Sequence, residues 1–199
     1  ALTDLSVRAG PAAAAAFSDD GRRIAIPTSA GPGLSNYIDI WSVDKCERLA
    51  SLQGHAKGVW SANFSHDGLR LITASDDKCA SIWTLATQER LDLHHQDWVN
   101  WAEFSPDNTS VLTACGDRAA HIWDATTGEH LWCHYHLGTK ASATFTALGD
   151  LVSASGDAWR HLGLLQVGPD GQVVRVPAEI FGPIPGIGPG PFADAARVT

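Results

Sequence analysis

The chain has 199 residues, of which 44% are hydrophobic and 18% charged, a composition typical of a globular protein. Its net charge of −8 argues against a nucleic-acid-binding surface, which needs a basic patch to neutralise phosphates, and does not favour an anionic membrane surface. No apolar run reaches the length of a membrane span, and no signal-like segment begins the chain, so a cytoplasmic location is expected. The four cysteines form no Cys-x-x-Cys pair, which excludes zinc-knuckle and thioredoxin motifs.

An internal repeat dominates the sequence. Each copy has Phe-Ser-x-Asp followed, about 20 residues later, by a tryptophan. The copies are Phe17–Gly21 with Trp41, Phe64–Gly68 with Trp83, and Phe104–Asn108 with Trp123. The tryptophans are separated by 42 and 40 residues, and the first copy carries an insertion at residues 30–36. A fourth, degenerate copy follows, in which Gly163 occupies the position expected for tryptophan.

Within one repeat, short β-rich segments alternate with turn residues. In the second copy the predicted strands are Val59–Phe64, Leu69–Ser75, Cys79–Leu85 and Arg90–Leu93. Near the end of the chain, residues 162–167 and 172–176 are predicted to form a last hairpin. Four short antiparallel strands in about 40 residues, repeated along the chain, are typical of a propeller blade.

Several segments of the repeat resemble the WD40-repeat family. They are Gly54-His55, Leu71–Lys78, Ser81–Trp83 and His121–Asp124, the last of which contains the Trp-Asp pair. The resemblance implies an all-β, WD40-type β-propeller, here a partial ring of about four blades with four antiparallel strands each. Ten arginines against four lysines, with many alanines, indicate a bacterial source.

The expected domain boundaries follow the repeats. Blade 1 takes residues 1–53, blade 2 takes 54–93, blade 3 takes 94–135, a degenerate blade 4 takes 136–178, and 179–199 form a Gly/Pro-rich linker or irregular tail. Rings of this family usually close with about seven blades, and an open ring exposes blade faces that need a neighbour. We therefore expect the chain to be part of a larger propeller, or to complete one with another chain.

The resemblance also implies a hydrogen-bonded tetrad in each regular blade. It joins a histidine, a Ser or Thr of the second strand, an Asp in a tight turn and the repeat tryptophan, because buried ring N–H groups need acceptors. The predicted tetrads are His55, Thr73, Asp77 and Trp83 in blade 2, and His95, Thr113, Asp117 and Trp123 in blade 3. Ser75 and Ser155 are alternative candidates for the hydroxyl member.

A hydrolase triad would use the same residue types as the tetrad. The trio recurs in each regular blade, whereas a catalytic site would occur once, and no Gly-x-Ser-x-Gly motif is present. The sequence therefore predicts a protein that is not an enzyme, with no catalytic residues and no cofactor.

A histidine-rich segment follows the third repeat. His130, His134 and His136 share parity on one predicted strand, so they face one side, and three imidazoles could bind zinc or copper. His136 already falls at a tetrad position, and residues 130 and 136 would lie about 20 Å apart along a strand. We predict no metal site here, and these three residues are the candidates if a metal binds.

Partner contact is predicted at the end of the blades where the channel opens. In WD40 proteins the residue after the first-strand Val and the residue before the turn Asp often contact partners. Trp60, Asp76, Trp98 and Asn100 are the candidates, and Trp60 beside Asp76 would suit an arginine or lysine side chain. The alternative interpretation is that Trp60 packs between blades and Asp76 caps a turn.

These patterns predict a non-catalytic interaction, scaffold or sensor module, for example of a bacterial signalling or defence complex. We expect its partners to be proteins or the remaining propeller blades, in a homo- or hetero-oligomer. We expect it to bind neither nucleic acid nor membrane. Two alternatives stay open: a metal-binding or enzyme-associated subunit that uses the segment 130–136, and a purely structural half-ring that completes a propeller with another chain.

Overall fold

The computed structural model describes residues 14–28, 36–137, 141–155, 158, 163–167 and 173–177. Every named element in these residues is a β-strand, and the strands of each sheet pair in antiparallel fashion. The predicted all-β fold class is therefore confirmed. Among the described residues, no helix is long and apolar enough to span a bilayer. The chain divides into two compact units, Ala1–Leu131 and Trp132–Thr199.

The first unit contains three sheets in chain order. The first sheet consists of β1 (Ala16–Phe17), β2 (Arg23–Thr28), β3 (Asn36–Ser42) and β4 (Glu47–His55). The second consists of β5 (Val59–Phe64), β6 (Arg70–Ser75), β7 (Cys79–Thr84) and β8 (Arg90–His94). The third contains β9 (Val99–Phe104), β10 (Ser110–Cys115) and β11 (Ala119–Asp124). The four strands predicted for the second repeat are confirmed within one residue.

The second unit contains the remaining strands. β12 (His130–His136) crosses the boundary between the units; β13 (Ser142–Thr146) and β14 (Leu151–Ser155) follow, and β13 pairs with both β12 and β14. β15 (Gly163–Val167) and β16 (Val173–Pro177) form the predicted last hairpin. The predicted insertion, apart from Asn36 in β3, and the predicted tail at 179–199 lie outside the described residues.

Two apolar layers hold the sheets of the first unit together. Leu71 and Ile72 are consecutive residues of β6, so they point to opposite faces of the second sheet, and both are fully buried. Leu71 packs with first-sheet residues such as Ile38 and Leu52, whereas Ile72 packs with third-sheet residues such as Val99. Burial of each such side chain contributes roughly 1.5–3 kcal/mol, so the middle sheet is stabilised by both neighbours.

The Phe-Ser-x-Asp motif forms the turn between the first two strands of each sheet. In every copy the serine hydroxyl donates to the aspartate two residues later, with an oxygen–oxygen distance of 2.6 Å. The pairs are Ser18–Asp20, Ser65–Asp67 and Ser105–Asp107. Gly68 in the second turn has a φ of +67°, a left-handed conformation that glycine adopts without strain. The strongest repeated signal in the sequence is therefore a turn signal.

An arginine at the start of the second strand links each of the first two sheets to the next. The Arg70 guanidinium donates to the carbonyl oxygens of Ala125 and Asn108, both at 2.7 Å, and lies 4.9 Å from the centre of the Phe104 ring. Arg23 makes the corresponding contacts with Gly68 O, at 2.9 Å, and the Phe64 ring. Charge-assisted hydrogen bonds and cation–π contact thus connect neighbouring sheets.

We predict that the Arg70 link contributes measurably to stability. Arg70→Ala should lower the free energy of unfolding by roughly 2–3 kcal/mol, because two carbonyls and an aromatic face lose their partner. Arg70→Lys should recover only part of this loss, since an ammonium cannot donate through a planar fork. Urea unfolding followed by tryptophan fluorescence measures both variants.

Lys45→Ala is the control for this prediction. Lys45 and Glu47 are both exposed and pair at 3.4 Å inside one sheet, so loss of Lys45 should cost no more than about 0.5 kcal/mol. Equal unfolding midpoints for the Arg70 and Lys45 variants would contradict the proposed role of Arg70.

Candidate functional site

The second sheet contains a closed hydrogen-bond network around Thr73. The indole N–H of Trp83 donates to Thr73 Oγ1 at 3.0 Å, and His55 Nε2 lies 2.7 Å from the same oxygen. His55 Nδ1 lies 2.8 Å from Asp77 Oδ2. Thr73 is fully buried and His55 is 6% exposed. All four residues predicted for this tetrad are therefore in contact, and the alternative hydroxyl, Ser75, donates instead to the Gly58 carbonyl at 2.9 Å.

The position of His55 gives the network its structural role. His55 is the last residue of β4 in the first sheet, whereas Thr73, Asp77 and Trp83 belong to the second sheet and its turn. Asp77 also accepts hydrogen bonds from the amides of Ala56 and Cys79, at 2.9 and 3.0 Å. The network therefore fixes the connection between the two sheets, which is a structural function.

Asp77 is held as a carboxylate in this network. Burial acts to raise the pKa of Asp77, but the hydrogen bond and charge of His55 and the two backbone amides outweigh it and lower the pKa to about 2. The folded protein therefore retains a negative charge at Asp77 well below the pH at which an unfolded aspartate takes up a proton.

The third sheet keeps part of the network and departs from the prediction at Asp117. Trp123 Nε1 donates to Thr113 Oγ1 at 3.0 Å, and His95 Nε2 lies 2.8 Å from that oxygen, as predicted. Asp117 Oδ2, however, bonds His121 Nε2 at 3.0 Å, and His95 Nδ1 bonds the carbonyl of Leu93 at 2.9 Å. The second sheet has Ser81 at the position of His121, and the longer imidazole reaches the carboxylate.

The surroundings of the buried His95 ring disfavour its protonated, positively charged form. Burial lowers the pKa of His95 to about 4, and the neighbouring His121 ring contributes in the same direction. The His95 ring lies 4.8 Å from the Trp123 ring and 5.2 Å from the His121 ring, measured between centroids. His95 is therefore neutral at pH 7 and serves as a hydrogen-bonding element of the core.

Trp60 and Asp76 form an exposed aromatic–acid pair. The indole N–H of Trp60 donates to Asp76 Oδ1 at 2.6 Å, and 41% of Trp60 is exposed. Trp60 lies near the start of β5 and Asp76 directly follows β6, so the pair lies at the end of this hairpin opposite its Ser65–Asp67 turn. The Trp60 side chain is therefore partly exposed, and its indole N–H is bonded to a carboxylate.

Trp98 occupies the corresponding end of the third sheet. The amide of Gly116 donates to the Trp98 carbonyl at 2.8 Å, just as Asp76 donates to Gly58 in the second sheet. The Trp98 indole lies directly over Gly116, where a Cβ atom would clash with the ring. Half of Trp98 is exposed, and Asn100, the counterpart of Trp60, is also exposed. Each of the two sheets therefore presents one tryptophan at this end.

The candidate histidines of β12 have different partners. His130 Nε2 lies 3.1 Å from His121 Nδ1 in the first unit, whereas His134 Nδ1 lies 2.8 Å from Thr144 Oγ1 in the second unit. His136 is exposed. Among the described residues, neither His134 nor His136 belongs to a group of three converging metal-ligand atoms. His130 and His134 therefore bond to different neighbouring strands, β11 and β13.

Sequence reasoning missed two groups of residues. Arg23 and Arg70 follow the turn motif at the same spacing, and this repetition was the available signal for the sheet-linking arginines. His121 lies in the repeat segment His121–Asp124, and its presence where the second sheet has Ser81 was the available signal for a different polar network in the third sheet.

The lowered pKa of Asp77 predicts a specific pH dependence. The carboxylate stabilises the fold fully above the unfolded value near 4, and this contribution is lost as the pH falls towards 2. Asp77→Asn should therefore lower the free energy of unfolding by about 1–3 kcal/mol at pH 7 and by much less at pH 2.5. Urea titrations at a series of pH values test this, with exposed Asp44→Asn as the control. A pH-independent difference between wild type and Asp77→Asn would contradict the assignment.

Comparison with known proteins supports the repeat assignment. The family model "WD domain, G-beta repeat" matches residues 46–84 and 87–124. Apoptotic protease-activating factor 1 of Rattus norvegicus is 37% identical over 51 residues, 25% of this chain and 4% of that protein. WD repeat-containing protein 1 of Xenopus tropicalis is 30% identical over 79 residues, 40% of this chain and 13% of that protein. Eukaryotic translation initiation factor 3 subunit I of Candida glabrata is 37% identical over 46 residues, 23% and 13% of the two chains.

The alignments cover only a small part of each relative, between 4% and 13% of its length in these three cases. These relatives are eukaryotic, so the bacterial source stays a prediction. The family match and the antiparallel sheets agree on the region from β4 to β11. Residues 46–84 and 87–124 are therefore the part of the chain that is similar to WD40 repeats.

Proposed function

We propose that this chain is a protein-interaction module that binds basic segments of partner proteins at the surface formed by Trp60, Asp76 and Trp98. WD40-repeat proteins act in general as non-catalytic interaction scaffolds, which gives the class of function. The observation that carries the proposal is the exposed Trp60–Asp76 pair, with its nitrogen–oxygen distance of 2.6 Å.

The chemistry of the pair favours a cationic side chain. An indole face attracts an arginine or lysine through the ring quadrupole, and a carboxylate held at its edge supplies a full negative charge. Trp60 is held in place by its hydrogen bond to Asp76, so little side-chain freedom is lost when a partner binds. The net charge of −8 would further favour the approach of a basic partner.

Trp98 extends this surface to the next sheet. Its ring lies against Gly116 and is half exposed. Tryptophan is enriched among the residues that dominate binding energy at protein interfaces. Two tryptophans on neighbouring repeats would let one extended segment make more than one contact. Asn100, exposed on the same sheet, would supply hydrogen bonds at the rim.

A second candidate function is the completion of a propeller with blades from another chain. In the third sheet, Ala114 pairs with Trp101 and Leu112 with Glu103, so these residues lie side by side across β9 and β10. Trp101 and Leu112 are each 40% exposed. In the second sheet the counterpart of Leu112 is Ile72, which is fully buried against the third sheet. The exposed third-sheet residues thus favour a further packing partner.

The interaction proposal predicts which peptides the chain binds. On an immobilised array of random decapeptides, the wild-type chain should select peptides rich in arginine and lysine. Trp60→Ala and Asp76→Asn should each weaken this binding about 10-fold or more, because each removes one half of the cation site. Leu69→Ala is the control, since Leu69 is 65% exposed but lies at the opposite end of the same hairpin.

Native mass spectrometry separates the two candidates. A purely structural role predicts a fixed complex that survives Asp76→Arg, because the packing face does not include Asp76. An interaction role predicts that Asp76→Arg abolishes peptide binding and leaves the oligomeric state unchanged. Selection of peptides without regard to charge, or unchanged binding by Trp60→Ala, would exclude the interaction proposal.

A further inference from the structure

The second and third sheets each have an aspartate at the same repeat position, and they differ at three polar positions around it. Repeat for repeat, Asp117 corresponds to Asp77. The second sheet has Ser75, Ser81 and Arg90 at the positions where the third has Cys115, His121 and His130. Each of the three substitutions introduces a side chain that binds transition metals in proteins. The same fold therefore carries an ordinary polar network in one repeat and a set of metal-ligand side chains in the next.

These ligand atoms converge in the folded chain. The Cys115 thiol, an Asp117 carboxylate oxygen and a ring nitrogen of His121 all lie within 4.8 Å of one another. Ligand atoms around a tetrahedral zinc ion are separated by roughly 3.3–3.8 Å, given bond lengths of about 2.0–2.3 Å. Asp117 Oδ2 and His121 Nε2, which are 3.0 Å apart, would therefore separate slightly, and the most widely spaced pair of ligand atoms would approach by about 1–1.5 Å. Cys115 and His121 are 6% and 9% exposed, so the donors are fixed by their surroundings.

The altered hydrogen bonding makes Asp117 available to a metal ion. In the second sheet, the equivalent carboxylate is engaged by His55 at 2.8 Å. In the third sheet, His95 turns to the Leu93 carbonyl, and Asp117 Oδ2 faces His121 Nε2 at 3.0 Å. A cation between these two atoms would replace one hydrogen bond, and the amide of Ala119 would continue to hold Asp117 Oδ1 at 3.0 Å.

His130 supplies the support that a ligating histidine usually needs. Its Nε2 lies 3.1 Å from His121 Nδ1, the nitrogen that points away from Asp117. Metal-bound histidines almost always bond a second group through their other ring nitrogen, which fixes the orientation of the ring. The arrangement thus provides three ligands and a positioning residue behind one of them.

We propose that Cys115, Asp117 and His121 form a binding site for a divalent transition metal ion of the zinc type, with His130 orienting His121. Thiolate, carboxylate and imidazole together match the preferences of Zn²⁺, and a fourth position stays open for water. The ion would connect the end of β10, the following turn and β11. This proposal is independent of the peptide-binding surface. Its three ligands differ from the predicted set His130, His134 and His136, of which only His130 takes part, as the residue that orients His121.

The experiment uses the full chain without a histidine tag, reduced and freed of metal with a chelator. Titration with Co²⁺, a spectroscopic substitute for Zn²⁺, should give one equivalent bound with thiolate-to-cobalt charge-transfer absorption. Cys115→Ser and His121→Ser should each weaken binding at least about 100-fold, and His130→Ala about 10- to 100-fold. The first two variants introduce the side chains that the second sheet has at these positions, so the fold should tolerate them.

A matched control exists in the second sheet. Cys79 Sγ and His94 Nδ1 lie 3.3 Å apart, so they form a cysteine–histidine pair outside the proposed site. His94→Ala should leave Co²⁺ affinity unchanged. Saturating Zn²⁺ should also raise the thermal midpoint of wild type and His94→Ala but not of Cys115→Ser. The proposal is overturned if the wild-type chain binds no Co²⁺ at millimolar concentration, or if Cys115→Ser and His121→Ser bind it as tightly as wild type.

Discussion

A buried threonine hydroxyl in the second and third sheets is the interaction on which the repeat depends. Thr73 and Thr113 are both fully buried, and each accepts an indole N–H while bonding a histidine ring. A buried indole or imidazole without a partner would cost about 1–3 kcal/mol, so one small side chain satisfies two large ones. Valine has the same shape but no hydroxyl, and it could not perform this role. The apolar layers on both sides of each sheet pack around this satisfied polar centre.

The links between sheets are chemically varied, although the sheets share one plan. Histidine connects the first sheet to the second, and arginines at the start of β2 and β6 connect each sheet to the next. Turns contribute as well, because His66 bonds Asp19 in the preceding turn at 2.7 Å and, through its amide, Asn108 in the following turn at 2.8 Å. Stability in such an array is close to a sum of nearest-neighbour contributions, and these polar contacts direct the apolar packing.

Much of the second sheet could be predicted because its signals are local and repeated. The turn motif and the strand lengths follow from the regular spacing of the repeat, whereas the contacts of Thr73 were implied by the resemblance to the WD40 family. The hydrogen-bond partner of Asp117 could not be predicted in the same way. Its partner depends on the reach of His121, four residues later, and on the rotation of His95, which belongs to the preceding connection. Alignment transfers residue types between repeats, whereas a competition between two imidazoles for one carboxylate is decided in three dimensions.

The hydrogen-bond partners of the histidines in β12 also depend on the three-dimensional arrangement of neighbouring strands. Parity along β12 gives the expected side-chain direction, but it says nothing about which neighbouring strand offers a hydrogen-bond partner. His134 is hydrogen-bonded to Thr144 across the β12–β13 pair, and His130 is hydrogen-bonded to His121. Among the tryptophans, Trp83 of the repeat motif is buried, whereas Trp60, which lies at the irregular pairing between Val59 and Ser61 of β5, is partly exposed.

The placement of His55 has a consequence for how this chain can be divided. The sequence repeat and the folded sheet are out of phase, because the last residue of β4 supplies the histidine that completes the next sheet. A cut at the sheet boundary, just before β5, would keep every strand of the second sheet and still remove the imidazole from Thr73 and Asp77. The sequence repeat therefore begins inside one sheet and ends inside the next. Duplication of a whole repeat would also copy the histidine that bonds one sheet to its neighbour, so each added sheet would carry its own link to the preceding sheet.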